Sequence, residues 1–210
     1  MNTPVKDSLS RTVEDGTASF MTLKEQIRSR LAGLRFRILD SGFNREAAVL
    51  MPIFEQDGEP HFLLTRRTNE VQTHKGQISF PGGMRESEED LETTALRETL
   101  EEVGIESDRI ELLGRFHDFQ ATTGYRVSPF AGYIDGPFTT TPQTHEVAEI
   151  LRVPFRIFLD PSRLRIEQMP HLGRMRDVYF YSYGVYEIWG LTARIIKEFL
   201  EELQRHPDQP

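Results

Sequence analysis

Residues 79–105 read "SFPGGMRESEEDLETTALRETLEEVGI", a Pro-Gly-Gly turn running into a helix crowded with acid. Placed at about 100° per residue, Glu98, Glu101 and Glu102 fall within one arc roughly 100° wide, with Leu96, Leu100 and Val103 nearly opposite. The spacing predicts a helix that turns Leu96, Leu100 and Val103 to the core and presents the three glutamates on the other face. Glu98 and Glu102 stand four residues apart, where like charges repel, and neither has Lys or Arg four residues later. A cation from outside the helix would relieve that repulsion. Carboxylate oxygens are hard ligands suited to Mg²⁺ or Mn²⁺, and Mg²⁺ uses one or two of them, completing its shell with water and substrate phosphates. Gly82 and Gly83 let the backbone turn tightly and approach such an ion, or a phosphate, without obstruction.

The totals fit that reading. A chain of 210 residues with 38% hydrophobic content suits one domain of moderate size. With 33 acidic against 25 basic residues and a net charge of −8, it lacks the broad basic field that nucleic acid or an anionic membrane would need. An anionic ligand must therefore meet local cations or a metal. The absence of cysteine excludes disulfides, thiolate ligands and a cysteine nucleophile. No run approaches the 18 apolar residues of a membrane span, residues 1–19 lack the apolar core of a signal peptide, and "DQP" is no peroxisomal address. A soluble, cytoplasmic protein is expected.

Residues 1–18 read as a flexible arm and 19–206 as a single domain. Phe20, Leu23, Ile27 and Leu31 predict an amphipathic helix ending near Gly33. "AAVLMPIFEQDGEPHFLLTRRT" (47–68) predicts strands at 46–55 and 61–67 joined by a slightly long loop around Asp57-Gly58. "RIELLGRFHDF" (109–119), "VSPFAGYID" (127–135), "RLRIEQM" (163–169) and "DVYFYSYG" (177–184) read as strands. "HEVAEILRVPFRIFLD" (145–160) reads as a short helix or turn region, and 188–206 as a helix. The pattern predicts a mixed sheet packed between helices.

The spacing within the opening stretch is specific: Gly83, five residues, Glu89, seven residues, Arg97-Glu98, Glu101-Glu102, Gly104 and Ile105. It resembles the box of the Nudix hydrolase family, G-x5-E-x7-R-E-U-x-E-E-x-G-U with U a bulky aliphatic residue, and departs only at Thr99, at the edge of the buried face. The resemblance implies an α/β/α sandwich with a mixed central sheet, an α/β (α+β) fold. It also implies hydrolysis of a diphosphate linkage in a nucleotide derivative with Mg²⁺ or Mn²⁺. Glu98 and Glu102 would be the main metal ligands, with Glu101 assisting, a carbonyl near Gly82 contributing, and Glu89–Arg97 as a supporting ion pair. The base would be a box glutamate or one outside it. In "HEVAEILRVP" (145–154) the outside candidates are Glu146 and Glu149, with Glu146 favoured.

Residues 63–83, "LLTRRTNEVQTHKGQISFPGG", resemble the motif L-L-T-x-R-[S/A]-x3-R-x3-G-x3-F-P-G-G that marks coenzyme A diphosphatases. Leu63, Leu64, Thr65, Arg67, Gly76, Phe80, Pro81, Gly82 and Gly83 match, while Thr68 and Gln72 depart. This implies a CoA-like substrate held by Arg67, Lys75, Gly82 and Gly83, and by family habit a homodimer. The alternative is a Nudix hydrolase of ADP-ribose, nucleotide sugars or dinucleotides. Gln72 favours it, because a glutamine there lacks the arginine's charge.

Overall fold

The computed structural model describes residues 21–39, 45–68, 76–171 and 173–205. The arm expected at 1–18 lies outside them, as do Phe20 and Lys75. Helix α1 (Leu23–Gly33) opens on a reciprocal cap between Thr22 and Glu25 and buries Ile27 and Leu31, as the periodicity predicts. Strands β1 (Glu46–Gln56) and β2 (Glu59–Arg67) form the expected hairpin with a tighter loop than its composition predicts. Gln56 pairs directly with Glu59, while Asp57 (φ 54°) and Gly58 (φ 71°) take the two left-handed positions of a turn matched to strand twist.

After β3 (Ile78–Ser79) and β4 (Gly82–Met84) comes the acid-rich helix α2 (Leu91–Val103). Strands β5 (Glu111–Arg115), β6 (Phe119–Gln120) and β7 (Arg126–Tyr133) follow. Residues 145–160 correct the reading of a short helix or turn, since Val147–Pro154 is a strand, β8, and only Phe155–Leu159 is helical, α3. The reason is tertiary. β8 pairs along β2 from His61–Pro154 to Arg67–Val147, and those backbone partners outweigh the helix-friendly composition of Glu-Val-Ala-Glu. Strands β9 (Leu164–His171), β10 (Arg174–Tyr183) and β11 (Tyr186–Trp189) form a second sheet, and α4 (Gly190–Gln204) follows.

The main sheet is mixed because β1 runs parallel to β7 and antiparallel to β2 and β4. β7 occupies one edge of β1 from Glu46 to Ile53, so β4, against Ala47–Val49, and β2, against Ile53–Gln56, must share the other edge. The sheet therefore forks. Past Phe62, β2 leaves β1 and takes β3 in its place, while β8 runs along the other edge from His61 onward. Residues 78–84 bridge the fork, beginning as a partner of β2 and ending as a partner of β1, with Phe80 and Pro81 buried in the crossing.

Alternation sorts the core into two layers. Leu50, Phe54 and Leu63 meet Ala95 and Val103 of α2 on one face. Met51, Phe62 and Leu64 meet Ile27 of α1 and Ile196 and Phe199 of α4 on the other. The result is the expected α/β/α sandwich around a mixed sheet.

Candidate active site

Helix α2 starts at Asp90, whose carboxylate accepts the Thr93 N–H at 2.7 Å, and stops at Gly104, where φ is 71°. Its roll corrects the expected core face at Leu100 alone, since Val103 is buried and Leu96 packs partly buried against the core. Thr94, Ala95, Thr99, Glu102 and Val103 are buried, while Leu100 is 39% exposed. Small Ala95 and Thr99 let the helix lie close on the sheet, and this roll brings Glu98 and Glu102 inward toward β4. The Thr99 hydroxyl donates to the Ala95 carbonyl at 2.7 Å, so the departure from the aliphatic pattern leaves no polar group unpaired.

The two glycines of β4 do different things. A Cβ on Gly83 would stand 2.3 Å and 2.6 Å from the oxygens of Glu98, so that carboxylate occupies the space a side chain would fill. A Cβ on Gly82 would stand 2.4 Å from the Ala48 carbonyl oxygen, so only glycine lets this strand lie so close to β1.

Arg97 fastens the acids to the loop. Its guanidinium donates to both oxygens of Glu89 at 2.9 and 3.1 Å, to Glu98 at 2.9 Å, to Glu101 at 3.2 Å and to the Met84 carbonyl at 3.2 Å. These bonds, with one from Thr94, hold the Glu89 carboxyl down at about 2, far below the ordinary carboxylate range. The Glu89–Arg97 pair therefore stays ionised and fixes the start of α2 against β4.

Glu102 is the other pole. It is 5% exposed, and its Oε2 is buried with no hydrogen-bond partner. Its Oε1 lies 3.9 Å from Arg67 Nη1, and Arg67 Nη2 lies 3.7 Å from Glu146 Oε2. Burial pushes the Glu102 carboxyl up to about 8; Arg67 opposes this, and the charges of Glu98 and Glu146 add to it. Burial also raises Glu98, Arg97 restrains it, and Glu101 and Glu146 add to the rise. Glu98, Glu102, Glu146 and Arg67 thus form one electrostatic cluster.

Glu149 is not part of the cluster. It accepts from Arg66 Nε at 3.1 Å and from the Tyr186 hydroxyl at 2.7 Å, on the opposite face of the sheet. Alternation along β2 decides this, because Arg66, which pairs with Glu149, and Arg67 face opposite sides of the sheet, and past a register shift Arg67 pairs with Val147. Glu101 is half-exposed and turned to Arg97. Sequence reasoning gave Arg67 a phosphate role and missed its pairing with two acids. That pairing joins residues far apart in the chain and has no signature in composition.

The cluster fits a hard divalent cation. The charge of partly buried Glu98 raises the proton affinity of buried Glu102, Glu102 keeps an oxygen without a donor, and a glycine backbone lies alongside Glu98. Among the described residues no three acidic or imidazole side chains form a complete cage. Mg²⁺ and Mn²⁺ can take two carboxylates and leave the remaining positions to water and phosphate oxygens. A separate cavity of about 450 Å³ between β6, β10 and α4 is lined by Arg37, Asp118, Arg194 and Glu198 among others. Its charges are largely satisfied internally: Glu198 accepts from Arg37 at 3.4 Å and Arg194 at 2.7 Å, and buried Asp118 accepts from Arg115 at 2.6 Å.

The NUDIX domain family model matches residues 44–179. Two curated relatives carry the description "Uncharacterized Nudix hydrolase NudL". The one from Photorhabdus laumondii is 37% identical over 162 residues, covering 77% of this chain and 86% of the relative. The one from Yersinia pestis is 36% identical over 164 residues, covering 78% and 82%. Among solved structures, the MutT protein from Methanosarcina mazei Go1 aligns with a TM-score of 0.53 at 20% identity, over 80% of this chain and all of that one. The MutT/nudix family protein from Enterococcus faecalis aligns with a TM-score of 0.50 at 17% identity, over 91% and 78%.

Proposed function

The chain belongs to the Nudix family and is a Nudix hydrolase of nucleoside diphosphate derivatives, and on that premise we propose that it cleaves the diphosphate bond of coenzyme A or its derivatives. The products are 3′-phosphoadenosine 5′-phosphate and 4′-phosphopantetheine. One observation carries the reading: the two ends of segment 63–83 converge on the acid cluster. The β2 end brings Arg67 beside Glu102 and Glu146, and the Phe80–Gly83 end crosses the fork and makes room for Glu98.

In this reading Glu98 and Glu102 hold Mg²⁺ or Mn²⁺, with Glu101 assisting. When bound, the cation neutralises phosphate charge and makes water acidic enough to attack phosphorus near neutral pH. Arg67, Lys75 and the backbone of Gly82 and Gly83 hold the diphosphate in line. Glu146, half-exposed, accepts the proton from the attacking water and passes it to solvent. The rest is positioning by Arg97, which fixes the acids before substrate arrives.

The domain spans 19–206 and works in the cytoplasm; no helix among the described residues is long and apolar enough to cross a membrane. A homodimer is part of the reading, supported by Ile166 and Met175, which stay 51% and 58% exposed on the second sheet. Light scattering at micromolar concentration tests it, and a monomer mass removes it.

For the substrate, purified protein with Mg²⁺ or Mn²⁺ is given CoA, ADP-ribose or a nucleotide sugar in separate reactions, and products are resolved by mass. Glu98→Gln serves as the blank. Phosphopantetheine released from CoA alone is the expected result. Cleavage of ADP-ribose or a nucleotide sugar instead would transfer the assignment to the alternative that Gln72 favours.

A further inference from the structure

Arg97 pairs with Glu89, Glu98 and Glu101 and Arg67 with Glu102 and Glu146, and the two arginines are held differently. Arg97 is fixed by five bonds of 2.9–3.2 Å. Arg67 contacts its acids only at 3.9 and 3.7 Å, beyond hydrogen-bond length, and its Nε is buried with no partner. It is held by charge and not by directed bonds. It is also the last residue of β2, with its side chain 27% exposed at the mouth of the fork.

From this contrast we infer that Arg67 is the resident cation of the metal-free cluster, paired with the Glu146 carboxylate and set against Glu102, until a divalent cation takes Glu102 and Arg67 swings to the substrate diphosphate. The inference rests on the proposed metal site. Glu102 Oε2 meets no donor, so the guanidinium supplies charge while leaving an oxygen open to the incoming ion. A divalent cation on Glu102 and a guanidinium against the same carboxylate repel each other, so the two compete for that carboxylate. The diphosphate offers the displaced arginine a partner of matching geometry and higher charge. Metal and substrate thereby favour each other's binding through one side chain.

The test is Mn²⁺ titration of the full chain, followed by the paramagnetic resonance signal of the free ion, on the parent, Arg67→Ala, Arg67→Lys and Glu98→Gln. Arg67→Ala should bind Mn²⁺ on the order of fivefold more tightly, the scale of one partly exposed ion pair. The KM of the same variant for its diphosphate substrate should rise. Arg67→Lys, which keeps the charge, should retain the parent's Mn²⁺ affinity, and far-UV circular dichroism checks that each variant is folded. Unchanged or weaker Mn²⁺ binding by folded Arg67→Ala, with the parent binding and Glu98→Gln failing to bind, overturns the resident-cation role alone. Failure of the parent to bind Mn²⁺, or equal binding by Glu98→Gln, brings down the metal site and this inference together.

Discussion

A carboxylate with one oxygen facing no donor is expensive to ionise, and Glu102 is that carboxylate. Its folded pKa of about 8 stands above the ordinary 4.5, so between those values the folded chain binds a proton that the unfolded chain has released. The associated stability is fully present below 4.5 and is lost as pH rises to 8. His117, lowered by burial from 6.5, acts in the opposite sense below its ordinary value, and Glu98, raised, acts in the same sense as Glu102. From pH 6.5 to 8 the metal-free protein should therefore lose ~2 kcal/mol, read by thermal melts in EDTA. Glu102→Gln should flatten most of that slope. The same variant, and Glu98→Gln, should lower kcat by roughly 10³-fold or more with the fold retained, checked by steady-state rates beside circular dichroism. The candidate acids were singled out by the whole spacing from Gly83 to Ile105, because glutamates at helical spacing alone read as an ordinary solvated face. The burial of Glu102 was not legible, since it depends on how far α2 rolls.

At the scale of elements, α2 and β4 form one unit. Periodicity located the helix and placed Leu96 and Val103 on its core face correctly, but close approach through Ala95 and Thr99 turned Leu100 outward. Small residues decide helix roll by what they allow, and a hydrophobic pattern cannot register that. The glycine of β4 that makes room for Glu98 gives the sharpest element-scale prediction. Gly83→Ala introduces a Cβ 2.3 Å from a Glu98 oxygen, so the carboxylate must move. Turnover should fall about 100-fold or more with a weakened apparent affinity for Mn²⁺, and the urea midpoint should change little. β8 shows the converse: its residues tolerate helix or strand, and only the long partner edge of β2 settles the matter.

For the whole molecule, strands in hairpins interleaved with helices sufficed to foresee a mixed sheet in a sandwich. The fork in that sheet was beyond reach, because β3 and β4 hold two and three residues, too few for any period to show. Its integrity depends on the aromatic layer beneath it. Phe62 is fully buried where β2 departs from β1, stacked on Phe155 with centroids 4.1 Å apart and edge-on to Phe80 at 5.4 Å. Phe62→Ala should destabilise the protein by ~3–5 kcal/mol, measured by denaturant unfolding. The fork also divides labour between lineages of mutation. The glutamates that would grip an ion ride on α2, packed on β1 and β4, whereas Arg67 and Glu146 belong to β2 and the turn into β8 on the far arm. Changes on that far arm other than at Glu146 can refit the cleft to a different diphosphate while the ion-holding arm and the proton acceptor stay as they are, so chemistry can be inherited while substrate choice drifts.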